Sequence, residues 1–359
     1  MDFTFNEDQL VFHDSVKSFL TNEVTPERIR EQWTTESGRS NELWEQLAEL
    51  GLTAMTVPEE FGGLGMSELD FILLAEECGY AALAEPLVDS VLVAVPLISS
   101  LGNEQVPAAN GKHLKESWLP RIAEGKASVA VGHPNNPLVA DAHIADLLLL
   151  PNGSEVHAVP SEQVELALNE SVDPSRKLYR VTWTPSAETL VAGEEEGKKL
   201  WDETLNRGAL AVAAQQLGLA RRIVDLSVDY TYERKQFGKP VGSFQAVKHH
   251  MANVAVKIEF AKAPLYRAAY DVSKGLSTAG RSVSHAKLST SEAVLLGAKN
   301  GIQAHGAMGY TWEVDLHIFM KRAWALDASY GSQGFHKKRV KDSILAEGAL
   351  LGAGNSFVA

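Results

Sequence analysis

The sequence predicts a mainly α-helical protein with a small antiparallel β domain in its middle. Three observations carry this. Apolar residues recur at helical spacing through residues 1–125. Residues 126–195 break into short strand-like runs separated by Pro, Gly, Asn and Asp. Residues 196–359 return to long helical patterns. At 359 residues the chain exceeds one typical domain, so two or three subdomains with ample core are expected.

The first helix opens at Asn6, which caps it, with Glu7 and Asp8 in the first turn. Leu10, Val11, Phe12, Val16, Phe19 and Leu20 are read as its apolar stripe. Residues 79–100 are rich in Ala, Leu and Val and suit a buried helix pair. Strands are expected at 127–132, 145–150, 155–159 and 178–183. Long helices are expected at 199–232, 244–275, 282–306 and 314–329.

Hydrophobic content of 45% and charged content of 22% are ordinary for a globular protein. A net charge of −13 argues against a nucleic-acid surface, which needs clustered Lys and Arg. A small anionic ligand needs only a local basic patch. Cys78 is the single cysteine, so no intrachain disulfide and no cysteine-based metal site are expected. The first residues lack a basic n-region and a long apolar run, so no leader is expected. No apolar run reaches the ~18 residues of a membrane span, and the cytoplasm is the default location. His305 has no second ligand at metal spacing and reads as a packing or hydrogen-bonding residue.

The most informative stretch is Tyr230 to His249. It reads as a helix that stops at Gly238-Lys239-Pro240, turns, and restarts near Ser243. The restart leaves backbone N–H groups beside Arg234 and Lys235, an anion site in the making. The words Glu233-Arg234, Phe237-Gly238 and Gln245 resemble a segment of the acyl-CoA dehydrogenase family. Trp44 to Leu52, Val57-Pro58-Glu59-Glu60-Phe61-Gly62-Gly63-Leu64-Gly65, and Leu74 to Glu77 resemble its N-terminal helix, loop and "EE" helix. Gln303 to Trp312 resembles its glycine loop.

The resemblance implies a fold with an N-terminal helical domain, a middle β domain and a C-terminal four-helix bundle. It implies FAD as cofactor. Arg234, Phe237, Phe244 and Gln245 would hold the FAD of a neighbouring subunit. Gln303, Gly306, Ala307 and Gly309 would cradle its adenosine and phosphates, although the family usually has a second Gly at position 307. The family's reaction desaturates an acyl-CoA thioester. A carboxylate takes the α-proton and the flavin takes hydride from Cβ.

Two parts of that equipment are missing. The usual base position carries Tyr330, and Asp327 lies a turn away, pointing elsewhere. The alternative base position carries Gly208, with Ala209 where Arg is expected and Arg207 just outside. Glu203 is the one carboxylate available there, out of register, and it otherwise reads as a solvated acid in the first turn of its helix. The flavin-lining Thr-Glu-Pro loop is absent after the first strand, where Ala130 to Pro137 stands, and Trp183 is followed by Thr184 and Pro185.

This pattern resembles the base-lacking subunit of heterotetrameric α2β2 acyl-CoA dehydrogenases of bacterial steroid side-chain catabolism. The partners implied are a homologous catalytic subunit, an acyl-CoA substrate and an electron-transfer flavoprotein or similar acceptor. Three readings remain open. The chain completes a partner's FAD site without catalysing, or it is a self-sufficient enzyme with Glu203 as displaced base, or it is a flavin-free binding or assembly module. Flavin colour of the chain, alone and with a partner, separates them.

Overall fold

The computed structural model describes residues 4–102, 109–349 and 352; residues 1–3 and most of the last ten, the ends of the first and third expected domains, lie outside them. In chain order the helices are α1 (Glu7–Glu23), α2 (Pro26–Trp33), α3 (Asn41–Glu49), α4 (Glu68–Ala81) and α5 (Leu87–Asp89). A π-helical turn at Ser90–Ala94 leads from α5 into α6 (Val95–Ser100), and α7 (Ala109–Ala123) follows. Seven strands come next: β1 (Val129–Val131), β2 (Val139–Ala140), β3 (Leu147–Asn152), β4 (Glu155–Pro160), β5 (Glu165–Asn169), β6 (Leu178–Thr182) and β7 (Leu190–Ala192). The remainder is α8 (Glu194–Glu233), a hairpin of β8 (Lys235–Gln236) and β9 (Lys239–Pro240), α9 (Gln245–Ser273), α10 (Ala279–His305), α11 (Leu316–Asp327) and α12 (Gln333–Ile344). The chain divides into two compact units: Met1–Arg28, Ile72–Leu83 and Val212–Ala359 form the first, Ile29–Phe71 and Ala84–Ala211 the second.

The second unit carries the β structure. One sheet has the order β1-β3-β4-β7 and the other β2-β6-β5. All pairs in these sheets are antiparallel except β1 with β3, which run parallel in register Val129↔Leu147. The strands β2 and β7, two and three residues long, are too short to show a period, and the fully exposed β5 buries no face that would mark it in the sequence. The helix pair expected at 79–100 breaks at Ala82, whose φ is +54°. A core of Leu97, Ile98, Leu119, Leu147, Leu149, Val156 and Trp201 joins α6, α7 and the first sheet to the start of α8.

The first unit is a helical bundle. Asn6 caps α1 in a reciprocal box with Gln9. The expected stripe is corrected at its first turn. Val16 and Leu20 are buried, but Leu10 and Val11 are exposed. Leu10 lies two residues before Phe12, about 200° round the helix from the Phe12–Val16–Leu20 line. Where α4 crosses α8, two glycines set the spacing. A Cβ on Gly79 would lie 2.2 Å from the Gln215 carbonyl oxygen, and one on Gly218 1.9 Å from that of Glu76. The α9–α10 connection is pinned by the buried Asp271 carboxylate. It accepts from Arg267 Nε (2.5 Å), Thr278 Oγ1 (2.7 Å) and Ser282 Oγ (2.6 Å).

Candidate functional site

The expected helix–turn–helix at Tyr230 to His249 is a helix, a hairpin and a helix. The α8 helix ends at Glu233, within a residue of the expected 232 and short of Gly238, and β8 pairs with β9 in register Gln236↔Lys239. Phe237 and Gly238 form the two-residue turn, both in the left-handed region (φ +53° and +78°). Positive φ angles at both turn positions are the type I′ pattern, which matches strand twist in two-residue hairpins. Glycine supplies them freely, but Phe237 adopts them at a cost. The strained residue is also 91% exposed, so no packing around its ring dictates the conformation.

The residues of this segment face outward. Arg234, Lys235 and Gln245 are exposed. The Arg234 backbone is fixed by its N–H to Tyr230 O (2.9 Å) and by Val241 N–H to its own carbonyl (2.8 Å). Phe244 is half-buried, with Phe237 edge-on at 6.1 Å and Lys239 Nζ 4.3 Å from its ring centre. Phe244 is also the N-cap of α9 and makes no side-chain cap. The start of this 29-residue helix is thus left without a side-chain cap, and the exposed Arg234, Lys235 and Lys239 lie just before it in the chain. Behind the hairpin, Val228, Tyr232, Pro240, Val247, Lys248 and Met251 line an apolar cavity of about 430 Å³.

A stacked pair ties this segment to the glycine loop. Tyr230, in the last turn of α8, lies on His305, the last residue of α10, at 4.2 Å between ring centres and 20° between planes. His305 donates from Nδ1 to Gly301 O (2.8 Å), which places the ring's acceptor at Nε2, and burial holds its pKa below the usual value. The sequence assigned His305 a packing or hydrogen-bonding role without naming its partners. Gln303, Gly306 and Ala307 are exposed and Gly309 is buried. Gly306 has φ +60°, and a Cβ there would meet nothing within 4 Å, so conformation alone asks for glycine. At Gly309 crowding asks for it, since a Cβ would lie 2.7 Å from Ile302 O.

These features fit a dinucleotide such as FAD. Its diphosphate needs an unsatisfied helix N-terminus with fixed cations, and its rings need exposed aromatic faces. An uncapped helix start, three exposed cations and the exposed Phe237 ring are present between Arg234 and Gln245. The loop after β1, which the resemblance expects to be flavin-lining, is built differently. After β1, His133 is buried, donates from Nε2 to Trp201 O (2.9 Å) and accepts Asn135 N–H at Nδ1 (3.1 Å). The His133 ring is thus spent on its own turn and on α8.

The candidate base positions are occupied as follows. Tyr330 is buried at φ +52°, and its carbonyl accepts from His336 Nε2 (3.0 Å). Lys287, fully buried, donates to the carbonyls of Asp327 (2.9 Å) and Leu326 (3.4 Å) at the end of α11. Burial lowers Lys287 to about 8, and burial together with the Lys287 charge lowers His336 to about 4. The Asp327 carboxylate accepts from Gln333 Nε2 (3.2 and 3.3 Å). Gly208 is buried inside α8. Glu203 is not in a first turn, as expected, because α8 starts nine residues earlier at Glu194 and its first-turn acids are Glu194, Glu195 and Glu196. Glu203 instead pairs with Arg207 Nη1 at 3.4 Å, while Arg207 Nε donates to Glu68 at 2.7 Å. The Lys287–His336 support of the Tyr330 turn was not legible, since neither residue differs by type from a surface Lys or His.

The "EE" motif is interior. Glu77 accepts from Arg221 Nη1 (2.9 Å) and pairs with His13 Nε2 (3.1 Å). Burial opposes its ionisation, but the His13 and Arg221 contacts win and hold it below the usual carboxylate range. Glu76 meets the Tyr266 hydroxyl and approaches Arg221 at 3.7 Å, but its Oε1 has no hydrogen-bond partner among the described residues. Burial pushes Glu76 up to about 7, opposed by the Tyr266 hydroxyl and Arg221.

Residues 195–345 match the family described as "Acyl-CoA dehydrogenase, C-terminal domain" and residues 6–126 its "N-terminal domain". The chain is 31% identical over 320 residues to "Acyl-CoA dehydrogenase IpdE2" of Mycolicibacterium smegmatis, covering 89% of this chain and 93% of that protein. The fold matches the crystal structure of the ChsE4-ChsE5 complex from Mycobacterium tuberculosis with a TM-score of 0.83 at 22% identity, over 96% of this chain and 99% of that one. It also matches the Tcur3481-Tcur3483 steroid acyl-CoA dehydrogenase G363A variant with a TM-score of 0.81 at 23% identity, over 96% and 99%. Among the described residues no helix is long and apolar enough to cross a membrane, and no cluster of His, Cys, Asp and Glu could hold a metal. The exposed Arg234–Gln245 segment and the glycine loop thus stand on the framework of a recognised group of proteins, and the chain belongs to the acyl-CoA dehydrogenase family.

Proposed function

We propose that this chain is the FAD-completing subunit of a heteromeric acyl-CoA dehydrogenase and supplies no catalytic base. One contrast carries the reading. The groups suited to a dinucleotide, from Arg234 to Gln245, face solvent, while position 330 holds a buried, locked tyrosine. Outward-facing binding groups serve a site completed by another subunit. FAD, when bound, supplies the oxidising power for α,β-desaturation. This chain's part is to hold the diphosphate through Arg234 and the α9 N-terminus, and to offer Phe237 and the Gln303–Gly309 loop to the adenosine.

The partner proposed is a homologous subunit with an intact carboxylate, in a heterotetramer. The substrate class is an acyl-CoA, with a steroid side chain favoured by the likeness to the steroid acyl-CoA dehydrogenase structure and the glycine-loop words. The acceptor is an electron-transfer flavoprotein or a similar carrier, and the location is the cytoplasm. The test is co-purification with a homologous catalytic chain, followed by a flavin spectrum and turnover. A colourless chain that becomes yellow and active only with its partner is the expected result. A chain yellow and active alone points instead to Glu203 as base, and one colourless in every context to an assembly module.

A further inference from the structure

The β5 strand is the edge of its sheet, and every one of its residues, Glu165-Leu166-Ala167-Leu168-Asn169, is exposed. Edges are normally blunted by lysine, proline or a bulge, and β5 contains none of these. Its pairing with β6 puts Leu166 opposite Val181 and Leu168 opposite Tyr179. Directly opposite residues share a face, and Val181 and Tyr179 pack on the small core under this sheet. The two leucines therefore continue the core-facing row of the sheet past the limit of the core. Leu168 is left 55% exposed.

We infer that β5 pairs antiparallel with β5 of a second copy of this chain, about a two-fold axis at Ala167. A shift of two residues either way sets Glu162 or Leu166 of one copy opposite Glu170 of the other, whereas in the register about Ala167 the sequence is self-complementary. Leu166 faces Leu168 of the other copy, and all four leucines lie on one face. A shift of one residue would split them between faces. The surrounding acids also fit. Glu165 falls opposite Asn169, Glu170 opposite Val164 and Glu162 opposite Val172, so no two like charges meet in a segment that is acidic overall. The same acids leave an unrelated acidic strand a poor occupant. The inference uses only the second unit and is independent of the flavin reading.

The test exploits the cysteine content. Cys78 is the single cysteine and is buried, so background cross-linking is low. In the proposed register the two Ala167 Cβ atoms lie about 5 Å apart, close to disulfide reach. The two Asn169 positions lie about 13 Å or more apart. Mild oxidation of full-length Ala167→Cys is expected to give a covalent dimer, and that of Asn169→Cys is not. In sedimentation, Leu168→Lys in the otherwise native chain is expected to weaken concentration-dependent self-association at least tenfold, with unchanged thermal stability. Equal cross-linking at both positions, none at position 167, or a covalent adduct formed only with a homologous partner subunit would each overturn the inference.

Discussion

Arg234 is the residue whose role is most sharply testable. Its guanidinium is exposed and its backbone is held from both sides, so its substitution should not disturb the fold. Arg234→Ala is expected to weaken flavin retention in the assembled enzyme by roughly 1.5–3 kcal/mol, the worth of a charge-assisted hydrogen bond. Flavin absorbance after extensive dilution checks this. The base positions give a second outcome. Tyr330→Phe and Glu203→Gln are each expected to leave turnover within about tenfold, whereas loss of a general base costs about 10²–10⁴ in rate. A loss of that size for Glu203→Gln with flavin content intact would make this chain catalytic in its own right. Glu76 gives a third. Its folded pKa is raised to about 7 from 4.5, so its contribution to stability is fully present at low pH and is lost as pH rises between those values. His336 acts oppositely, losing stability as pH falls from 6.5 toward about 4, so the parent's own pH profile mixes the two. The stability of Glu76→Gln minus that of the parent isolates Glu76. It is expected to rise by about 2 kcal/mol between pH 5 and pH 8, at roughly 1.4 kcal/mol for each tenfold difference in proton affinity between the folded and unfolded chain. Denaturant midpoints at the two pH values decide, and a constant difference contradicts the assignment.

At the scale of elements, the α4–α8 crossing depends on having no Cβ at two points. Gly79→Ala and Gly218→Ala would each drive a methyl into backbone carbonyl oxygen, at 2.2 and 1.9 Å, and backbone moves only with its helix. Each is expected to destabilise by about 3 kcal/mol, the upper end for overpacking. Gly297→Ala, whose methyl would sit 3.4 Å from Val254 Cγ1, should be tolerated and serves as the control in the same thermal melts. Neither glycine was singled out from the sequence, because a helix-interior glycine carries no mark of what crosses it. The long helices were legible. The expected 244–275 and 282–306 lie within three residues of α9 and α10 at each end, since many turns of apolar spacing accumulate into one signal. The β8–β9 hairpin was not, because two-residue strands have no periodicity and Phe-Gly is not a common turn pair.

At the scale of the whole molecule, exposed apolar side chains mark where association is expected. On α9, Phe260 is 76% and Val256 52% exposed, one turn apart on a single face. The proposed partner covers such a face. Phe260→Ser should change the melting of the isolated chain little, by within about 0.5 kcal/mol as for surface positions, while loosening the complex in sedimentation. A complex that sediments unchanged would place the interface elsewhere.

The sequence by itself determined the periodic and the punctuated features: the Asn6 cap, the course of α8 to α10, the change to β structure after residue 126, and the motif words that mark the family. These are local properties, written in the spacing of apolar residues and in residues with special backbone angles. The tertiary structure decided what each side chain meets. It alone placed Tyr230 on His305, buried Lys287 against the end of α11, left Glu76 Oε1 without a hydrogen-bond partner among the described residues beside a well-paired Glu77, and ran the leucines of β5 past the limit of their core. The reason is physical. Burial and pairing depend on neighbours distant in the chain, and a lysine, a glycine or a leucine reads the same in sequence whichever neighbour the fold supplies.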